Sequence, residues 1–258
     1  MAAFSVPDLA GKVFLVTGAS TGIGAAVARG LAAQGARVAV HYNASRAKAE
    51  AVVADIAKGG GEGLAVAGDL SRVGGAEPVV DRAATHFGRL DGLINNAGSL
   101  VKRVPIADFT EALYDEVMNL NVRAVVAASR AAIPHLRKAG GGAIVNTTSI
   151  AARHGGGPGA VMYASSKGFV STFTRGLAKE LVKDNIRVNA VSPGVIATPF
   201  HERFSTAEQI KAMTATIPMG RLGSSEECVG TYLYLASAVL SGYVTGQVIE
   251  VNGGQLMP

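Results

Sequence analysis

Val13-Phe14-Leu15-Val16-Thr17-Gly18-Ala19-Ser20-Thr21-Gly22-Ile23-Gly24 is the stretch that decides the fold of this chain. Its apolar start reads as a short buried strand, and glycines follow at once. A helical pattern then runs from about Ala25 to Gln34 and stops at Gly35. A strand, a glycine turn and a helix start together form a site for phosphate. Glycine lets the backbone approach the anion, and the helix N-terminus offers unpaired N–H groups and a partial positive charge. The spacing of Gly18, Gly22 and Gly24 is not the usual Gly-x-Gly-x-x-Gly. A tight turn with convenient glycines is the plainer alternative, but strand and helix flank the motif as phosphate binding demands.

The same alternation extends outward from this unit. Ala36 to Tyr42 reads as a second strand, and Ser45 to Lys58 as a helix before the turn Gly59-Gly60-Gly61. Leu64 to Ala67 is a third strand ending at Gly68-Asp69-Leu70, and Ser71 to Phe87 is largely helical. Leu90 to Asn95 is a fourth strand. A long helical stretch from about Asp108 to Lys138 is expected to break near Phe109-Thr110 and at Pro134. Ala143 to Thr148 is a fifth strand, and a helix through Tyr163 reaches about Lys183. Ile186 to Val191 is a sixth strand, Ile196 to Pro218 a partly helical insertion, Glu226 to Ala238 a helix and Val244 to Val251 a seventh strand. Strands alternating with helices predict an α/β, doubly wound, mostly parallel seven-stranded sheet with helices on both faces. No repeat or linker interrupts residues 1–258, which predicts a single domain. In such a sheet ligands bind beyond the carboxyl ends of the strands, where Gly18, Asp69, Asn95, Ser149 and Pro193 fall.

Composition narrows the function classes. The chain has 258 residues, 48% of them apolar, enough for a large core. The net charge of +5 is scattered rather than gathered in a basic run, which argues against nucleic acid as a partner. The single cysteine, Cys228, excludes an internal disulfide and suits a reducing, cytoplasmic setting. Met1 to Lys12 shows no signal peptide, and no apolar run approaches the ~18 residues of a membrane span. The histidines stand apart from any familiar metal-ligand spacing, so no metal is expected in the chemistry.

Ser149 to Lys167 carries the candidate chemistry. Ser149 closes the fifth strand, a glycine-rich loop follows, and Tyr163 and Lys167 lie four residues apart on a helix. That spacing puts both side chains on one face, about 6 Å apart along the axis. An ammonium so placed favours tyrosinate and is expected to lower the phenol pKa. The pair alone is a weak motif, since a solvated helix face offers the same spacing.

The whole set resembles the short-chain dehydrogenase/reductase family. Thr17-Gly18-x-x-x-Gly22-Ile23-Gly24 resembles its nucleotide loop, and Asn95-Asn96-Ala97-Gly98 its motif after the fourth strand. Asn121, Ser149, Tyr163 and Lys167 fall in order on its catalytic tetrad, and Pro193-Gly194 and Val251-Asn252-Gly253-Gly254 also fit. The resemblance implies a Rossmann fold, a nicotinamide cofactor and reaction at a carbonyl or secondary alcohol. It casts Tyr163 as acid or base, Lys167 as its modulator and ribose contact, Ser149 as the substrate hydrogen-bond donor, and Asn121 as holder of a water on a proton route. The cofactor set it implies comprises Gly18, Ser20, Thr21, Gly22, Ile23 and Gly24 in the loop, then Asp69, Leu70, Asn95, Ala97 and Gly98. Tyr163, Lys167, Pro193, Gly194, Ile196 and Thr198 complete it. Homotetramers are common among relatives, and the small-residue surfaces Ala124 to Ala132 and Ser165 to Leu177 are compatible with close helix packing between subunits.

An acidic residue at the end of the second strand would select NAD through the ribose. Here His41-Tyr42-Asn43 supply no carboxylate, while Asn43, Ser45 and Arg46 can receive a 2′-phosphate. NADP(H) is therefore expected over NAD(H), although Thr21 stands where many NADP-using relatives carry a basic residue. Ser149, Arg153, His154 and Tyr163 are the candidate substrate residues. The stretches around the expected pocket also hold Lys102, Arg103, His201 and Arg203 against Glu202 and Glu208, a balance that points to an anionic small-molecule substrate. Within the family, 3-oxoacyl-carrier-protein reductases and sugar or polyol dehydrogenases are the nearest likenesses. A non-catalytic nucleotide-binding regulator is the rival of another class, disfavoured by an intact Ser149, Tyr163 and Lys167.

Overall fold

The computed structural model describes residues 5–257, so the start of the stretch read for a signal peptide lies outside them. Strand β1 (Val13–Val16) is buried along its whole length and leads through the glycine loop into α1 (Gly22–Ala33). The helix begins at Gly22, earlier than the apolar pattern shows, because the loop glycines themselves form its first turn. β2 (Arg37–Tyr42), α2 (Arg46–Lys58) and β3 (Glu62–Ala67) follow. α3 (Ala76–Phe87) starts only after Gly74-Gly75, later than expected. A Cβ on Gly75 would overlap the Asp69 carbonyl, so the tight turn after β3 delays the helix.

β4 (Gly92–Asn95) precedes α4 (Glu111–Met118), which Thr110 caps by accepting a bond from Leu113 N, placing the expected break where Phe109-Thr110 put it. The break expected at Pro134 is absent. α5 (Ala124–Lys138) passes through that residue, whose ring lies on the exposed side. The true irregularity is a π-helical turn over Asn119–Arg123, joining α4 to α5. β5 (Gly142–Thr147), the short α6 (Ala151–His154), α7 (Val161–Leu181) and β6 (Ile186–Pro193) come next. The insertion after β6 carries α8 (Pro199–Phe204) and α9 (Ala207–Ala215), and α10 (Ser225–Ala236) leads to β7 (Val248–Val251).

The strands form one sheet in the order β3-β2-β1-β4-β5-β6-β7, and every neighbouring pair is parallel. All carboxyl ends therefore lie along one edge, and the order reverses between β1 and β4, where a crevice opens for ligands. One apolar layer packs α1, α2 and α10 on one face of the sheet, and a second packs α3, α5 and α7 on the other. Central strands covered on both faces need no polar alternation, which is why Val13–Val16 reads as an unbroken apolar run. Cys228, on α10, is buried in the first layer. Among the described residues no helix is long and apolar enough to cross a membrane.

Candidate active site

At the carboxyl end of β1 the glycine loop is held from three sides. Thr17 Oγ1 accepts from the backbone N–H groups of Asn96 (2.9 Å) and Ala97 (3.0 Å). Asn96 Nδ2 donates to the carbonyls of Thr17 and Gly18 at 3.0 and 3.1 Å. His41 Nδ1 accepts from Gly18 N at 3.0 Å. Gly18 has a φ of 62°, and a Cβ there would lie 2.8 Å from Ala97 Cα, so only glycine fits. At Gly24 a Cβ would stand 2.5 Å from the Gly18 carbonyl. Thr21, the N-cap of α1, makes no side-chain cap bond, leaving the first-turn N–H groups to an external acceptor. Thr198, the N-cap of α8, places its methyl group against Gly22, so the loops after β1 and β6 face each other across the crevice.

At the end of β5, Ser149 Oγ accepts from Ala151 N (3.1 Å), starting α6, and its hydroxyl is near enough to the Tyr163 phenol to act on its pKa. Tyr163 is partly exposed as a residue, but its phenol is enclosed. Burial pushes its pKa up to about 12, and the Ser149 hydroxyl pulls the other way. This overturns the expectation of a lowered pKa, for a physical reason. Lys167 Nζ sits 5.8 Å from the centre of the tyrosine ring and spends a hydrogen on the Thr147 carbonyl (2.9 Å). Lys167 is only 3% exposed, and burial pulls its own pKa down to about 8, so its charge is itself weakly held.

Asn121 is completely buried in the π turn. Its Nδ2 donates to the carbonyls of Ser99 (2.8 Å) and Val117 (2.9 Å), and its Oδ1 accepts from Ser99 N (3.1 Å). The side chain therefore anchors the strand-end loop. Gly98 lies against both Asn121 and Lys167, with no room for a Cβ between. The four tetrad positions thus meet at one edge of the sheet, beside the glycine loop.

The remaining expected residues divide. Ala97, Pro193, Gly194, Ile196 and Thr198 line the same edge; Gly194 N donates to Val251 O at 2.9 Å, and Ile196 bridges to Gly223. Ser20 and Ile23 flank the loop glycines, and Leu70 is buried beside Asp69. Asp69 turns its Oδ1 to Ser71, closing the turn after β3. Asn95 is directed inward, donating to Ser129 and Asn146. Asn43, Ser45 and Arg46 are exposed, and Arg46 is paired with Glu50 at 2.8 Å. Arg153 pairs with Glu250 on β7 (3.3 Å), while His154 Nδ1 folds back to accept from Gly156 N.

The substrate-side loops are tied by Arg103, which donates to Phe204 O at 2.7 Å and to Pro158 O at 3.1 Å. Phe200 of α8 stands 5.7 Å from the Tyr163 ring, and His201 and Phe204 pack around it. Between Ser99 and Arg103, Val101 adopts a φ of 66° in a γ-turn closed by Lys102 N to Leu100 O (2.8 Å). A β-branched residue in that region is strained. Sequence reasoning left His41, Asn96 and Phe200 without roles. Asn96 was visible within its motif, but the other two depend on loop packing.

The family model described as enoyl-(acyl carrier protein) reductase matches residues 18–255. The chain belongs to the short-chain dehydrogenase/reductase family. It is 39% identical over 253 residues to a 3-oxoacyl-[acyl-carrier-protein] reductase of Synechocystis, covering 96% of this chain and 98% of that one. A solved NADH-dependent reductase, A1-R′, responsible for alginate metabolism and complexed with NAD, is 38% identical. Its TM-score is 0.87, with 98% of this chain and 100% of the other covered. A short-chain dehydrogenase of Burkholderia cenocepacia in complex with NADP is 36% identical with a TM-score of 0.89, covering 96% and 99%. As a member of this family the chain is a nicotinamide-dependent oxidoreductase. Its loop fits that group: an uncapped helix start, a glycine cradle that a Cβ would fill, and Ser45 with no cap bond of its own at the far end.

Proposed function

We propose that this short-chain dehydrogenase/reductase transfers a hydride between NADP(H) and an anionic carbonyl or secondary-alcohol substrate, with 3-oxoacyl thioesters foremost. The reading rests on one observation: the Ser149 hydroxyl acts on the Tyr163 phenol at the sheet edge, with Lys167 behind them and the glycine loop beside them. When bound, the nicotinamide supplies or accepts the hydride. Ser149 Oγ donates to the substrate oxygen and fixes it near the phenol. Tyr163 is protonated at neutral pH, so in reduction it gives its proton to the developing alkoxide, and in oxidation it takes one back. The Lys167 ammonium stabilises the tyrosinate left behind and holds the ribose hydroxyls, and Asn121, its side chain spent on Ser99 and Val117, keeps the loop beside Lys167 in place, leaving only its backbone to hold a water on the proton route. The loop glycines and the first turn of α1 hold the pyrophosphate, with Asp69 toward the adenine.

NADP(H) is favoured because no carboxylate stands at the end of β2, while Asn43 and Ser45 are exposed there and Arg46 can exchange Glu50 for a 2′-phosphate. Negative charge on the substrate is favoured by Arg103, which pairs with no carboxylate among the described residues. A carbohydrate-derived substrate is the second reading, supported by the likeness to the reductase of alginate metabolism. We further propose that residues 1–258 form a single cytoplasmic domain that assembles as a homotetramer.

Tyr163→Phe tests the chemistry: kcat/KM should fall about 10²–10⁴-fold with cofactor affinity retained. Near wild-type turnover would sink the acid–base assignment. A panel of 3-oxoacyl thioesters, sugars and neutral ketones, read by oxidation of NADPH and NADH, tests substrate and cofactor together. A clear NADH preference, or faster turnover of neutral ketones than of acidic analogues, would reject the corresponding choice.

A further inference from the structure

His41, on β2, is 2% exposed, and both of its ring nitrogens are engaged by backbone. Nδ1 accepts from Gly18 N at 3.0 Å, and Nε2 lies 3.0 Å from the Gly68 carbonyl, to which it must donate. These two bonds require the neutral ring with its proton on Nε2. The imidazole therefore ties the ends of β1, β2 and β3 together at the root of the glycine loop. The Gly18 N–H is half-buried and donates to His41, and the Gly18 carbonyl is held by Asn96.

We propose that His41 is the positioning residue of the phosphate loop, and that a proton on its Nδ1 weakens dinucleotide binding. This rests on the reading that the glycine loop binds the dinucleotide. Protonation sets two N–H groups against each other at Gly18. The strained φ that only Gly18 can adopt then loses its tether, and the loop loses the geometry that presents the first turn of α1. Burial holds the His41 pKa below its ordinary 6.5, opposed by the Gly68 bond and by Asp69. Asp69 is the charged group acting on the ring, and it is engaged with Ser71 and Arg72. β1 and the first turn of α1 bring no charge. The helices packed on β2 pair Arg29 with Asp55, Arg46 with Glu50, Glu77 with Arg130 and Asp81 with His135, while Arg82 points to solvent. A histidine whose folded pKa is lowered keeps its neutral, loop-holding form at 6.5 and somewhat below it, so the effect sets in only as pH falls through that lowered value.

Calorimetric titration of NADP⁺ and NAD⁺ into wild type, His41→Asn and His41→Phe tests this. Asparagine keeps an acceptor for Gly18 N–H and has no proton to gain; phenylalanine keeps the volume and has no acceptor. At about pH 7.5, His41→Phe should raise Kd several-fold to about tenfold, the effect of one lost tether on a half-buried donor, and raise the cofactor KM more than it lowers kcat. As pH is lowered from about 7.5 through the depressed His41 pKa, over the range in which both proteins stay folded, wild type should lose affinity relative to His41→Asn, a comparison in which titration of the cofactor's own phosphate cancels. Wild-type affinity in His41→Phe, or parallel pH profiles for wild type and His41→Asn, would overturn the role of His41. If His41→Phe does not fold, the pH comparison decides alone. Wild type that binds neither dinucleotide would overturn the loop reading and this proposal with it.

Discussion

Lys167 is the residue on which stability and chemistry pull hardest in opposite directions. Its pKa moves from 10.5 to about 8 on burial, so the fold prefers the neutral amine. The unfolded chain binds the proton more tightly between those values. Stability therefore rises with pH from about 8 to 10.5 and is lowest, and flat, below about 8. The penalty at neutral pH is about 3 kcal/mol, partly offset by the bond to Thr147. Lys167→Met should therefore gain about 1–2 kcal/mol and melt a few degrees higher at pH 7 while losing most activity, a split that thermal melts and steady-state rates will measure. In the wild type, carbonyl reduction should decline as pH rises past about 8, where Lys167 loses the charge that stabilises tyrosinate; a flat profile to pH 10 would contradict it. The Tyr163–Lys167 spacing was readable in the sequence because helical geometry fixes it. The sign of the phenol shift was not, because it depends on enclosure by α8 and on where Lys167 Nζ finds its acceptor.

At the scale of elements, the glycine loop and the α4–α5 rod behave differently under substitution. A Cβ at Gly24 would collide with the Gly18 carbonyl, so Gly24→Ala should destabilise by about 1–3 kcal/mol and weaken dinucleotide binding, seen as a lower Tm and a raised Kd. Pro134 sits in the exposed side of α5 without ending it. Pro134→Ala restores a backbone donor, and a gain of about 1 kcal/mol, or 2–4 °C in Tm, is expected by calorimetry. These same elements show what the sequence carries. The break at Phe109-Thr110 was legible because Thr110 is a strong N-cap. The π turn at Asn119–Arg123 was not, since it is fixed by the bonds of Asn121 to Ser99, far along the chain. Glycines in the loop announced a phosphate site, whereas the tether at His41 appears only when three strand ends are brought together.

For the whole molecule, the alternation of strands and helices made a parallel, doubly covered sheet legible, because each apolar run is too short to be anything but a buried strand between amphipathic helices. The substrate pocket was not legible to the same degree: Arg153 is paired with Glu250, a partner supplied by β7 rather than by its own loop. On the outer surface, α7 exposes Phe169, stacked on Phe173 at 5.9 Å, together with Val161. Stacked aromatics left in water suit a subunit contact. Phe169→Asp should convert the proposed tetramer to smaller species in light scattering, with the fold retained by circular dichroism; an unchanged mass would place the contact elsewhere. Finally, Cys228 lies in the apolar layer under α10, and burial with the nearby Glu227 and Glu226 pushes its thiol up to about 12. The native chain is therefore expected to be silent toward maleimides and other thiol-directed dyes, which a labelling time course checks. One cysteine introduced on the exposed side of α8, as in Glu202→Cys, becomes a unique labelling handle, so motion of α8 over Tyr163 can be followed by fluorescence without stripping any native residue first.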